Sequence, residues 1–201
     1  MTDRPNPAQL APYDPAWPTV AERLLTDLRA AIAAIPGAAT ARYDHIGSTS
    51  VPGLAAKPFL DLQVRIFPLP DYDTLDAALE PLGFRRAQGS RPDSPGVTRD
   101  TPPPYVVVSV DDTVWEKRLY VHAGKSVILH IRRPDSPWGC QTVWFRDWLR
   151  THSDDRLRYE ATKRALAEQN IGKPDYDDYT RAKSVFFREM RPAFDWAQAR
   201  G

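Results

Sequence analysis

The residues best suited to chemistry form a turn of small polar residues and an acidic strand behind it. Gly47, Ser48 and Thr49 follow a short predicted strand, Arg42 to Ile46. Such a turn presents backbone N–H groups and hydroxyls to an anion, and glycine permits close approach. The spacing is not that of a phosphate-binding P-loop. The turn therefore predicts phosphate binding, with a simple tight turn as the alternative interpretation.

The acidic strand is predicted from Phe59 to Ile66, where apolar and polar residues alternate. Asp61, Gln63 and Arg65 share its polar face. A carboxylate beside a phosphate-binding turn can hold a divalent cation, and Mg²⁺ with a triphosphate is the usual pairing. We therefore expect Asp61 to bind Mg²⁺ or Mn²⁺. The alternative is that Asp61 caps a turn or pairs with a nearby lysine.

A predicted hairpin supplies the next polar residues. Its strands run from Trp115 to Val121 and from Ser126 to Arg132, with a turn between them. The two-residue period predicts that Leu119 and Val121 face the core together with the apolar residues of the second strand. The residues predicted to share the opposite, polar face are Arg118, Tyr120, His130 and Arg132.

Helices are predicted around these strands, and a single helical turn is predicted near 51–55, after the turn of small polar residues. Apolar residues at helical spacing predict a first helix from about Val20 to Ile35. The other predicted helices span 71–82, 137–150, 154–169 and 175–190, and 88–104 is predicted to be a surface loop that flanks the site. Tyr159 and Lys163 lie four residues apart and could reach a nucleotide, as could Tyr179 and Lys183; a solvated helix face is the alternative. The order predicts an α+β fold with a mixed sheet and a C-terminal helical part.

Several segments together resemble one known family. The run HIGSTSVPGLAAKPFLDLQV is similar to the signature of the GrpB family, which is placed in the nucleotidyltransferase superfamily. The segments EKRLYV, ILHI, FRDWLR, RYEATK and YTRAKSVF also resemble that family's pattern. The resemblance implies one nucleotidyltransferase-like domain over residues 1–201, with a mixed-sheet core at 1–135 and a helical part at 136–195. It also implies that Gly47 and Ser48 contact a triphosphate and that Asp61 is the first metal-binding carboxylate.

The sequence departs from the active superfamily pattern at one position. Two carboxylates normally occupy one strand face, but here the pair is Asp61 and Gln63. A neutral glutamine oxygen would bind a cation more weakly. The candidates for a third ligand are Glu116 and His130, and His130 fits the family pattern better. Histidine suits Mn²⁺ or Zn²⁺ more than Mg²⁺ and can act as a base.

Composition excludes some other classes of protein. A net charge of +1 does not indicate a binder of duplex nucleic acid, which normally carries a basic excess. The apolar runs are too short to span a bilayer, and we expect no membrane partner. A single cysteine, Cys140, cannot form an internal disulfide, and we expect a cytoplasmic protein. Oligomeric state is not indicated.

The leading hypothesis is a metal-dependent transfer of a nucleotidyl group from a nucleoside triphosphate to an unidentified small-molecule or protein acceptor. Asp61, Gln63 and His130 would hold the metal ion, with Asp61 and His130 as catalytic residues. The residues predicted to contact the nucleotide or its phosphates are Gly47, Ser48, Thr49, Lys57, Arg118, Arg132 and Lys163.

Two alternatives stay open. One is a binding or accessory module that has kept the fold and lost the reaction. The resemblance supports it, because GrpB-like domains also occur fused to dephospho-CoA kinase. The other is a metal-dependent hydrolase that uses His45, Asp61 and His130.

Overall fold

The computed structural model describes residues 8–89, 96–102, 111–175 and 177–190. Five helices and five strands lie within these ranges, joined by short turns. In chain order they are α1 (Trp17–Ala31), β1 (Arg42–Ile46), β2 (Leu60–Arg65), α2 (Tyr72–Leu79), β3 (Phe84–Arg86), β4 (Lys117–His122), β5 (Val127–Arg132), α3 (Pro137–Thr151), α4 (Ser153–Gln169) and α5 (Asp177–Glu189). Within the described ranges, none of the helices is long and apolar enough to cross a membrane.

The strands form one mixed sheet in the order β1-β2-β5-β4-β3. β2 pairs antiparallel with β1 and parallel with β5, and β4 pairs antiparallel with β5 and β3. The parallel register sets Gln63 opposite His130, and Asp61 opposite Ile128. Because side chains of paired residues point to the same face, Asp61, Gln63 and His130 lie on one side of the sheet.

Each face of the sheet has its own apolar cluster. Alternate β2 residues pack with α1 and α2 on one face, where Leu62 and Leu129 are fully buried. On the polar face, a second cluster joins the loop after β1 to the last three helices. Its members are Val51, Leu54, Phe145, Leu149, Tyr159, Phe186 and Met190. The predicted α+β fold with a C-terminal helical part is confirmed at this level.

Most predicted elements are confirmed within a few residues, and three details differ. A single helical turn occupies Ser48–Ser50, whereas it was predicted near 51–55. The short edge strand β3 was not predicted. Part of the predicted loop at 88–104 lies outside the described residues, but Asp100, inside them, is buried rather than on the surface.

The predicted alternation along β4 is wrong. Register pairs Tyr120 with Leu129 and Arg118 with Ile131, so both point into the face covered by α1 and α2. Tyr120 is tolerated in this core because its hydroxyl donates a 2.7 Å hydrogen bond to Asp76. The polar face instead receives Lys117, whose buried ammonium is paired with Asp100.

Candidate functional site

The turn after β1 and the carboxylate of Asp61 fit closely together. Gly47 has φ 71° and ψ −173°, a region essentially restricted to glycine. A Cβ at this position would lie 2.3 Å from Oδ2 of Asp61. The Ser50 hydroxyl donates a 2.5 Å hydrogen bond to the Gly47 carbonyl, and Ser48 is hydrogen-bonded to Tyr159 of α4. The turn is therefore shaped to bring Asp61 against its backbone.

Thr49 and His45 hold the turn from inside. The fully buried Thr49 hydroxyl donates to the Phe59 carbonyl at 3.2 Å. Because a hydroxyl has only one proton to donate, the Thr49 oxygen accepts the hydrogen bond from Nε2 of His45, at 3.0 Å. Burial lowers the pKa of His45 to about 4, so the ring is neutral at pH 7. Thr49, predicted to contact phosphate, has its hydroxyl committed to these internal bonds.

Asp61 faces His130 across the strand pair, with Oδ1 and Nε2 3.5 Å apart. Burial, followed by the charge of Arg132, lowers the pKa of His130 to about 4. Burial acts to raise the pKa of Asp61, but contact with His130 and the charges of Lys183 and Lys57 outweigh it, and the net shift is downward. At pH 7 the pair is therefore a carboxylate beside a neutral imidazole.

Gln63 is fully engaged by protein groups. Its amide nitrogen donates to the Gly139 carbonyl at 3.0 Å. Its oxygen accepts from Arg132 at 2.8 Å and from Thr142 at 3.2 Å. The oxygen that Gln63 could offer to a metal ion thus already accepts from Arg132, and the single proton of the Thr142 hydroxyl is shared between this oxygen and the Gly139 carbonyl at 3.1 Å.

Arg132 is likewise held by the protein. Its Nε and Nη2 donate to the two oxygens of Asp100 at 2.6 Å and 3.0 Å, and Lys117 lies 3.0 Å from the same carboxylate. All three side chains are buried. Burial acts to raise the pKa of Asp100, but the charges of Arg132 and Lys117 outweigh burial and hold this pKa well below its usual range. Arg132 was predicted to bind phosphate; here its guanidinium ties the 96–102 segment to the sheet.

Arg118 lies on the opposite side of the sheet from His130 and Arg132. Its Nε donates to the Pro70 carbonyl at 3.2 Å, and its guanidinium lies 5.0 Å from the ring centroid of Tyr72. The prediction that Arg118 joins the polar face is therefore wrong. The reason is the β4 register described above, which places the odd-numbered residues of that strand beside His130.

Three lysines from separate segments lie close to one another, and two of them, Lys57 and Lys183, act on the charge of Asp61. Lys57 and Lys183 share the ring of Tyr179, with Nζ 5.2 Å and 5.1 Å from its centroid. Lys163 is buried, lies 4.9 Å from the ring centroid of Tyr159, and donates to the Ala55 carbonyl. We call Lys57, Lys163 and Lys183 together the lysine cluster.

The lysine cluster is electrostatically strained. Burial, then the charge of Lys183, lowers the pKa of Lys57 to about 7. The same two causes lower the pKa of Lys163 to about 7. The pKa of Lys183 is lowered by burial, which the charge of Asp61 only partly offsets. An anion placed among these amines would relieve the repulsion.

The donors around Asp61 do not fit a divalent cation. Among the described residues, no group of three or more histidine, cysteine, aspartate or glutamate side chains is placed to hold a metal ion. Asp61 and His130 face each other, Gln63 is engaged elsewhere, and the lysine cluster adds positive charge. The described residues therefore offer a divalent cation one carboxylate and one imidazole here, fewer ligands than such a cation usually takes from a protein.

The structure thus separates the predicted site residues into two groups. Gly47, Ser48, Lys57, Asp61, His130 and Lys163 are brought together, with Lys183 beside them. The other predicted residues are committed elsewhere, as described above. Sequence reasoning missed Lys117, which the corrected β4 alternation would have revealed, and Asp100, for which a proline-rich loop gives no signal.

Comparisons with known proteins agree with this architecture. The family described as GrpB protein matches residues 7–192. A solved structure, the conserved protein GrpB from Enterococcus faecalis, superposes with a TM-score of 0.61 at 21% identity, covering 90% of this chain and 98% of that one. At this identity the likeness shows the fold alone.

Curated relatives fall into two kinds. A UPF0157 protein of Streptomyces coelicolor is 35% identical over 87% of this chain and 77% of its own length. A dephospho-CoA kinase of Mycolicibacterium paratuberculosis is 34% identical over 97% of this chain but only 48% of its own length. The chain thus spans about half of that kinase and of the dephospho-CoA kinase of Mycobacterium bovis. With the family match covering nearly all of its residues, the chain belongs to the GrpB family.

Proposed function

We propose that this protein binds the phosphate groups of a nucleotide-type ligand between the 47–50 turn and the lysine cluster. The observation that supports it most is that Lys57, from the loop before β2, and Lys183, from α5, both lie against the ring of Tyr179 and both act on Asp61. Lys163 of α4 adds a third positive charge close to Lys183. Gathering like charges in a partly buried site costs folding free energy, and a bound polyanion offsets that cost. The 47–50 turn adds backbone N–H groups and the Ser48 hydroxyl at the same place.

The names of the similar proteins indicate which class of ligand to test first. Dephospho-CoA kinases are nucleotide-handling enzymes by name, and this chain is similar to about half of such a protein. We therefore propose adenine nucleotides, with ATP and dephospho-CoA as the first ligands to test. On this proposal the domain is an accessory module that holds a nucleotide and does not require a metal ion.

Isothermal titration calorimetry of ATP and dephospho-CoA, with Mg²⁺ and with EDTA, tests this proposal. Because a charge-assisted hydrogen bond contributes about 1.5–3 kcal/mol, we expect Lys57→Met and Lys183→Met each to weaken binding by about tenfold or more. Lys125→Met is the matched control, because Lys125 is exposed in the β4–β5 turn. Absence of binding to both ligands, or equal affinities in all three variants, would refute the proposal.

Nucleotidyl transfer is the second candidate, favoured by the close fit of Gly47 against Asp61. The superfamily resemblance supports it, whereas the donor set around Asp61 does not. Asp61→Asn discriminates between the candidates. If Asp61 holds a catalytic metal, the variant loses Mg²⁺-dependent ATP binding and product formation. If the site binds the polyanion directly, removal of a negative charge strengthens ATP binding in EDTA.

A further inference from the structure

Ala55 has both of its backbone hydrogen-bonding groups bound by side chains of α4. Its N–H donates to Oε2 of Glu160 at 3.0 Å, and its carbonyl accepts from the Lys163 ammonium. These two side chains are three residues apart and therefore lie on one face of the helix. Ala55 is 4% exposed, and backbone groups buried to this extent need partners. Two helix side chains thus take the place that a neighbouring strand has in a sheet. We call Glu160 and Lys163 together the α4 clamp.

The next residue, Ala56, is bound from the opposite side. It exchanges two backbone hydrogen bonds with Ala11, at 2.8 Å and 3.0 Å. Successive residues of an extended chain point their backbone groups to opposite edges, so the α4 clamp and Ala11 hold the chain from both edges. Lys57 follows directly, and the carbonyl of Phe59 beyond it accepts from Thr49. The backbone of Lys57 therefore lies between two fixed points.

We propose that the α4 clamp positions Lys57, by fixing the backbone before it so that its amine meets Lys183 over the Tyr179 ring. This role rests on the proposed function, since the positioned amine is one that would bind phosphate. A carboxylate has no donor to offer a phosphate group, so Glu160 serves the site through the backbone of Ala55.

Glu160 separates the effect of charge from the effect of position. Its Oε1 pairs with Arg164, whose side chain is 56% exposed, while its Oε2 binds Ala55. Glu160→Gln keeps an oxygen for the Ala55 N–H and gives up only the pair with Arg164, which can turn to water. Glu160→Met removes the same charge and the acceptor as well. If charge alone mattered, both variants would bind a polyanion equally, and more tightly than wild type, because a negative charge near the lysine cluster is lost. If position matters, Glu160→Met binds more weakly than Glu160→Gln, because the ligand must then hold the segment itself.

Calorimetry with ATP in EDTA compares the full-length wild type with both variants. Glu168→Met is the matched control, because it makes the same change at an exposed residue of the same helix. We expect Glu160→Met to bind ATP about tenfold more weakly than Glu160→Gln, since the lost hydrogen bond is one to a charged group. Glu168→Met should bind like wild type. Equal affinities of the two Glu160 variants would overturn the proposal, as would an equal loss in Glu168→Met.

Amide hydrogen exchange measured by NMR tests the clamp without a ligand. The Ala55 amide should exchange about tenfold faster in Glu160→Met than in Glu160→Gln, and the Ala56 amide, which is bonded to Ala11, should change less. Equal exchange of Ala55 in the two variants would refute the positioning role. If wild type binds ATP but the two variants do not differ in exchange or affinity, the positioning role alone fails. If wild type binds neither ATP nor dephospho-CoA, the proposed function fails, and the role of the clamp in ligand binding fails with it.

Discussion

Replacement of Gly47 by alanine tests whether the turn and Asp61 form one unit. Two separate costs follow from the structure. The backbone torsions of Gly47 lie in a region that costs a non-glycine residue about 1–3 kcal/mol. The added methyl would also lie 2.3 Å from Oδ2 of Asp61 and 3.0 Å from its Cβ, so the carboxylate must be displaced.

Gly53→Ala is the matched control. Gly53 also has a positive φ, 77°, but a Cβ there meets no atom within 4 Å. We expect this variant to lose about 1 kcal/mol of unfolding free energy, from the torsion alone, and to retain ligand affinity. Gly47→Ala should lose more stability than Gly53→Ala and should also lose ATP binding.

Urea denaturation followed by circular dichroism gives the two unfolding free energies, and calorimetry gives the affinities at a temperature where both variants are folded. The reasoning would be refuted if Gly47→Ala were folded and bound ATP with wild-type affinity. It would also be refuted if the two glycine variants lost the same stability and the same affinity, because the clash with Asp61 would then have no consequence.

Three further outcomes are expected. Arg118→Met should leave ATP affinity unchanged in calorimetry, whereas Lys183→Met should reduce it, because only Lys183 lies on the site face; a loss from Arg118→Met would contradict the register. Asp100→Asn should lower the unfolding free energy by about 3–5 kcal/mol in urea denaturation, because it leaves Arg132 buried without its carboxylate. The pKa of Asp100 is below its ordinary value in the folded state, so its contribution is present above about pH 4 and lost as pH falls; a stability that is flat from pH 6 to pH 3 in wild type would contradict this. ATP affinity should fall as pH rises through about 7, because Lys57 is charged below that pH and neutral above it; calorimetry from pH 6 to pH 8.5 measures this, and a constant affinity would count against it.

The sequence predicted those parts of the fold that local pattern determines. β2 could be identified because its alternation is uninterrupted, and Asp61 could be placed because it follows a glycine turn at short range. The orientation of β4 was predicted wrongly, because the order of its polar and apolar residues does not show which alternate residues face the core. Tyr120 can be a core residue when its hydroxyl has a partner, and Lys117 can be buried when a carboxylate reaches it. Both partners come from other segments, which a strand pattern cannot show.

The same limit applies to the lysine cluster. Spacing indicated that Tyr179 and Lys183 share a helix face, but not that this face meets Lys57. That contact depends on how the last helices pack on the loop after β1, through long-range contacts such as those of Phe145 with Tyr159 and Phe186. The set of lysines in the site therefore depends on tertiary packing, whereas the turn and Asp61 can be predicted from the local sequence.

The missing second acid also has a structural explanation. The side chain at position 63 meets the Gly139 carbonyl at the start of α3, where the amide N–H of Gln63 donates while its oxygen accepts from Arg132. A carboxylate at this position would place an oxygen against the Gly139 carbonyl, which would keep the Thr142 hydroxyl as a side-chain donor but lose the amide N–H of Gln63. With α3 in this position, a glutamine suits the sheet better than an acid. The loss of the acid pair is thus coupled to the docking of α3, and recovery of a metal site would require more than one substitution.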